Sequence, residues 1–163
     1  MKQITPFLWF DDNAEEAVNF YTSVFKNSNI TSVTRYGEVA AKVAGRPKGS
    51  LMTAAFQLNG QEFIALNGGP LFKFTEAVSF VINCENQKEV DYYWEKLTAG
   101  SDALAQQCGW LKDKFGLSWQ VVPTILSKLL ADKNAKKSQK VMMAMLQMKK
   151  IDIAALENAY AEG

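Results

Sequence analysis

The chain repeats its own order of elements. Slid along itself by about seventy residues, the sequence places Asn13 on Asn86, Glu16 on Glu89, Phe20-Tyr21 on Tyr93-Trp94 and Val24 on Leu97, within the range of offsets at which duplicated structural units occur. One match at this offset would carry little. Several together constrain the fold, because each copy must bury the same faces.

In the first copy residues 4–10 (Ile-Thr-Pro-Phe-Leu-Trp-Phe) form an apolar, aromatic run that suits a strand, with Pro6 at its start or on an edge. Asp11 and Asp12 end it. Asn13 stands as an N-cap with Glu16 at the capping-box position, and Ala14, Ala17, Val18, Tyr21, Val24 and Phe25 follow at helical spacing. Residues 30–36 alternate as a strand, and residues 37–50, with Gly45-Arg46-Pro47-Lys48-Gly49, read as a mobile loop. Residues 51–58 and 61–66 are strands joined at Asn59-Gly60, a strong hairpin signal.

The second copy reads residues 77–83 as a strand, then a helix capped by Asn86 with Val90, Tyr93, Trp94 and Leu97 turned inward and Gly100 at its end. Strands are expected at residues 103–108, 110–112 and 118–122, the last two joined through Asp113-Lys114-Phe115-Gly116, with Pro123 as a stop. The expectation is an α+β fold. Its parts are a β-α-β-β-β module at residues 1–67, a glycine-proline hinge at 68–74, a second such module at 75–123, and a helical extension at 124–163. In that extension Val141, Met142, Met145, Leu146 and Met148 make an apolar stripe beside many lysines, which reads as packed core or subunit contact.

Composition removes several functions. A net charge of +1 offers no broad cationic surface, so nucleic acid is not expected as a partner. Neither a signal core nor a bilayer-length apolar run is present, so a cytoplasmic location with no membrane association is expected. There is no histidine, which removes imidazole-based triads and the commonest metal ligand. Cys84 and Cys108 share no C-x-x-C spacing and read as reduced, largely buried thiols. The run Asn67-Gly68-Gly69-Pro70 lacks the lysine of a phosphate loop and reads as a hinge.

Two β-α-β-β-β units with a D-x-x-G turn before the final strand resemble the vicinal oxygen chelate superfamily of glyoxalases, extradiol dioxygenases and bleomycin-resistance proteins. The stretches 4–17 (ITPFLWFDDNAEEA), 65–70 (ALNGGP), 108–123 (CGWLKDKFGLSWQVVP) and 148–157 (MKKIDIAALE) are similar to its PhnB-like branch. Members of that branch are commonly labelled 3-demethylubiquinone 3-methyltransferases.

The resemblance implies a curved-sheet cup, a homodimer, and a divalent metal held at positions that fall here on Pro6, Ile64, Ser79 and Gln120. That set has no carboxylate or imidazole and does not suit a metal, so no cofactor is expected. Strand alternation from those anchors puts Leu8, Phe10, Ser79, Ser118 and Gln120 in the cup as ligand-binding residues, and Trp9, Phe80, Ile82, Trp119 and Val121 under the helices. The leading expectation is metal-free binding of a small apolar or aromatic molecule. Two others stand beside it. One is a metal-free isomerase or transferase using a carboxylate or tyrosine, with Tyr36, Glu76 and Asp113 as candidates; the other is an interaction module working through the methionine-bearing helix.

Overall fold

The computed structural model describes residues 4–163 and divides into two units, Met1–Phe74 and Thr75–Gly163. The first unit runs β1 (Phe7–Phe10), α1 (Ala14–Val24), β2 (Asn29–Arg35), α2 (Glu38–Ala44), β3 (Leu51–Leu58) and β4 (Gln61–Asn67). Its sheet has the order β1-β4-β3-β2, with β1 parallel to β4 and the other pairs antiparallel. Asn59 and Gly60, both at positive φ (49° and 82°), make the tight β3–β4 turn.

One face of this sheet carries Leu8, Phe10, Ala54, Phe56, Phe63 and Ala65, all buried. It meets the buried stripe Ala14, Ala17, Val18 and Tyr21 of α1, with the Tyr21 and Phe56 rings stacked at 6.5 Å. Each large side chain so covered contributes about 1.5–3 kcal/mol. The opposite face holds Phe7, Trp9, Ile64 and Leu66, which are half-buried or exposed.

Residues 37–50 differ from the loop expectation. Glu38-Val-Ala-Ala-Lys-Val-Ala are adequate helix formers, and Gly45 at φ 63° closes them as a left-handed C-cap whose N–H donates to the Ala41 carbonyl. The ends are tied by Tyr36 N–H to Ser50 O and Gly49 N–H to Tyr36 O. The stretch 68–74 is anchored within its own unit. Gly68 and Gly69 donate to the carbonyls of Phe10 and Asp11, Trp9 Nε1 donates to Gly69 O at 2.8 Å, and Phe72 and Phe74 set their rings edge-on against Trp9 and Phe10. A Cβ at Gly68 would stand 2.3 Å from the Trp9 ring, so only glycine fits.

The second unit runs β5 (Phe80–Cys84), α3 (Gln87–Thr98), a 3-10 turn (Ala103–Ala105), β6 (Trp110–Lys112), β7 (Ser118–Pro123), α4 (Thr124–Leu130), α5 (Ala135–Leu146) and α6 (Ile153–Ala161). Its sheet has the order β5-β7-β6. The strand expected at residues 103–108 is reduced to a single bridge between Gln107 and Trp110. Asp102 accepts from Leu104 N–H and caps the 3-10 turn, and the alanines bring no β-preference against it.

The last three helices form their own core of Leu126, Val141, Ile151 and Leu156, against which Val122, Met145, Met148 and Tyr160 pack. This assembly is fixed to its own unit. Cys108 and Gly109 N–H donate to the carbonyls of Met148 and Lys149, Gln87 accepts from Ile153 N–H and donates to Ile151 O, and Lys150 pairs with Asp91. The methionine stripe is therefore divided: Val141, Met145 and Met148 turn to this core, while Met142 and Leu146 are exposed. Among the described residues no helix is long and apolar enough to cross a membrane.

Candidate functional site

The second sheet has two unlike faces. Phe80, Ile82 and Cys84 of β5 lie level with Trp119, Val121 and Pro123 of β7, and Leu111 of β6 lies level with Trp119. Trp119, Val121, Leu111 and Cys84 are buried, and the rings of Phe80 and Trp119 meet at 5.7 Å. This face lies beneath α3, whose Val90 and Leu97 are fully buried. The alternate residues form the other face: Val81, Gln120 and Trp110 in one row across the three strands, Asn83 beside Val122, and Ser118 beside Lys112. Val81 is 51% exposed and Trp110 36%, so this face is open at that row. Val122 closes one end against the C-terminal core.

The polar groups on the open face form a small set. Gln120 Nε2 donates to Ser79 Oγ at 2.9 Å, which fixes the amide and leaves the serine its own proton to donate. Ser118 is 1% exposed, and its Oγ is a buried hydroxyl with no hydrogen-bond partner among the described residues. A buried polar group left so costs about 1–3 kcal/mol. Lys112 pairs its ammonium with the Glu76 carboxylate. The sequence pointed to Ser79, Ser118 and Gln120, and the structure brings them together on one face. It did not point to Lys112, although its place two residues after Trp110, on the same face of a strand, was a readable signal.

Leu8 and Phe10 lie elsewhere. Both are on the α1-covered face of the first sheet, and Trp9 is on the face away from α1, the reverse of the expected alternation. An inward-facing Pro6 sets the expected phase of β1, and a shift of one residue turns every side chain over. Which face is buried is decided by the apolar stripe of α1.

Two candidate bases are committed to structure. Asp113 is buried and accepts from Phe115 N–H, Leu117 N–H and Trp119 Nε1 at 2.8–3.0 Å, and Tyr36 donates its buried hydroxyl to Asn67 O at 2.6 Å. The third, Glu76, is held below the usual carboxylate range by its hydrogen bond and charge pairing with Lys112, which keeps it ionised and makes it a poor base.

Pro6 presents its carbonyl to Ile64 N–H and has no donor side chain, as Ile64 has none. With only Ser79 and Gln120 added, the four positions do not fit a divalent ion, and among the described residues no group of three or more Cys, Asp or Glu side chains is placed to hold one. A separate cavity of about 370 Å³ lies between the starts of α3 and α6, bordered by Glu85, Gln87, Ile125, Asp152, Ile153 and Glu157. The Gln87 and Asp152 side chains there are already engaged with backbone.

Comparison with known proteins places this geometry in a family. No curated protein sequence matches the chain. The PhnB protein of Bacillus cereus is 38% identical, over 76% of this chain and 100% of its own, with a TM-score of 0.66. Protein PA1353 of Pseudomonas aeruginosa (20% identical, 76% of this chain, 98% of its own, TM-score 0.58) and the fosfomycin resistance protein FosX of Listeria monocytogenes (18%, 80%, 98%, TM-score 0.51) share the fold. The family model described as 3-demethylubiquinone-9 3-methyltransferase matches residues 2–122. The chain therefore belongs to that family, whose PhnB-like members have the vicinal oxygen chelate fold.

Proposed function

We propose that this chain binds a small, mainly apolar molecule on the open face of its second sheet, without a metal. The observation that carries this reading is the buried, unpartnered Ser118 hydroxyl on the same face as the Ser79–Gln120 pair, bordered by Val81, Trp110 and Val122. Apolar walls with a few fixed polar groups are the usual make-up of a small-molecule site. Binding is preferred to the methyl transfer in the family's description because the strand-to-helix junctions, Asp11-Asp12-Asn13 and Glu85-Asn86, are acidic and free of glycine, unlike a nucleotide-cradling turn.

The test is a fragment screen followed by amide chemical-shift mapping. Shifts centred on Val81, Trp110, Ser118 and Gln120, abolished by Val81→Asp, are expected. Hits mapping consistently to other surfaces would refute the reading.

A further inference from the structure

Resting on that small-molecule reading, we infer that the ligand is an organic monocarboxylate, and that Glu76 occupies its carboxylate position as an internal stand-in. Among the described residues of β5, β6 and β7, Lys112 is the one cation on the open face, directly across from Ser118 in the β6–β7 pair. Its side chain is 31% exposed, whereas that of Glu76, in the turn leading into β5, is 64% exposed. The anion partner is therefore the looser of the two, and an incoming carboxylate can replace it at no net cost in ion pairs.

The orphan Ser118 hydroxyl, closed to solvent while Glu76 holds Lys112, becomes the second donor when that pair opens. A carboxylate has two oxygens and about four acceptor sites, so one oxygen on Lys112 Nζ leaves the other for Ser118 Oγ. The rest of the molecule then lies along Val81 and Trp110, the exposed apolar pair in the adjoining row. A single cation matches a single negative charge, which favours a carboxylate over a phosphate dianion. Release of Glu76 frees the chain just before β5 and couples occupancy to that turn.

Benzoate and its uncharged counterpart benzyl alcohol separate this inference from the reading it rests on. Each is titrated into the full chain and followed by amide shifts of Val81, Lys112 and Ser118. Benzoate is expected to bind at least tenfold more tightly than benzyl alcohol. Glu76→Gln is expected to tighten benzoate by about three- to tenfold, as removal of a competing exposed ion pair should. Lys112→Met is expected to remove the preference, and Ser118→Ala, a smaller change within the sheet, to weaken benzoate alone.

Equal binding of both probes, unchanged in Glu76→Gln and Lys112→Met, overturns the carboxylate assignment and leaves the small-molecule reading standing. No binding of either probe by the wild-type chain or Glu76→Gln overturns both.

Discussion

Asn67 shows how a single residue can do work that the sequence assigns to another. Asn13 holds the N-cap position of α1, yet its side chain makes no capping bond. The cap comes from Asn67, 53 residues beyond Ala14, whose buried Oδ1 accepts from Ala14 N–H at 2.8 Å while its Nδ2 donates to Leu51 O at 3.2 Å. The local capping-box pattern was legible at both helices, and at the second Asn86 accepts from Glu89 N–H. A cap supplied by a neighbouring strand that is distant in sequence leaves no local spacing to read. Asn67→Ala should cost about 2–4 kcal/mol, since it removes a cap and strands a buried donor and a buried acceptor. Asn13→Ala should change stability by less than about 0.5 kcal/mol. Urea unfolding of the two variants distinguishes them, and equal losses would disprove the assignment. Cysteine chemistry gives a second check at this scale. Burial, helped by Glu89 and Glu85, pushes the Cys84 thiol up to about 12, so iodoacetamide at mildly alkaline pH should add one group to the native protein, at Cys108, and a second only after unfolding.

Among the elements, β3, β4 and α1 of the first copy were legible because their apolar periods are unmixed, 2 in the strands and 3.6 in the helix, whereas the short α2, lying between glycines, read as a loop. The second copy was legible in phase on β5 and β7. It was misread at residues 103–108, where apolar content suggested a strand but Asp102 capped a turn of helix instead. What connects that turn to the next strand was not visible in sequence. Cys108 and Gly109, at φ 52° and 83°, form a two-residue reversal between Gln107 and Trp110, and their outward N–H groups bind the chain after α5. This reversal joins the sheet to the C-terminal helices. In Gly109→Ala the new Cβ would meet Val121 O at 2.9 Å and Ile151 Cγ1 at 3.2 Å, in a backbone conformation that disfavours a side chain. A loss of about 1–3 kcal/mol is expected. Amide exchange should rise first along residues 148–153 if the reversal is the joint, and uniformly if it is not.

At the scale of the whole chain, the family match ends at residue 122, and α4–α6 lie beyond it. These helices add a core of their own, against which Val122 of β7 packs, and among the described residues the bonds that hold them to the sheet and α3 are polar: the two turn amides, Gln87, Thr124 on Glu85, and the Lys150–Asp91 pair. Within the extension, Tyr160 donates to Asp132 at 2.6 Å. Lys150, with Gln87, holds the Asp91 carboxyl below its ordinary value, and Tyr160 with the Asn134 amide does the same for Asp132. The sign follows from linkage. A carboxyl whose folded value is depressed binds protons more readily in the unfolded or detached state, so its contribution is full above about pH 4 and is lost as pH falls through the folded value. Neither carboxyl is buried, so the effect is modest and shrinks with added salt. Acidification from about pH 5 to pH 3 should therefore release the C-terminal helices before the second sheet opens. Amides of Ile153 and of the Cys108–Gly109 turn would lose exchange protection at a higher pH than those of β5 and β7. Asp91→Asn should shift that early loss and flatten its pH dependence; simultaneous loss at all these amides would show that the helices and sheet unfold as one cooperative block.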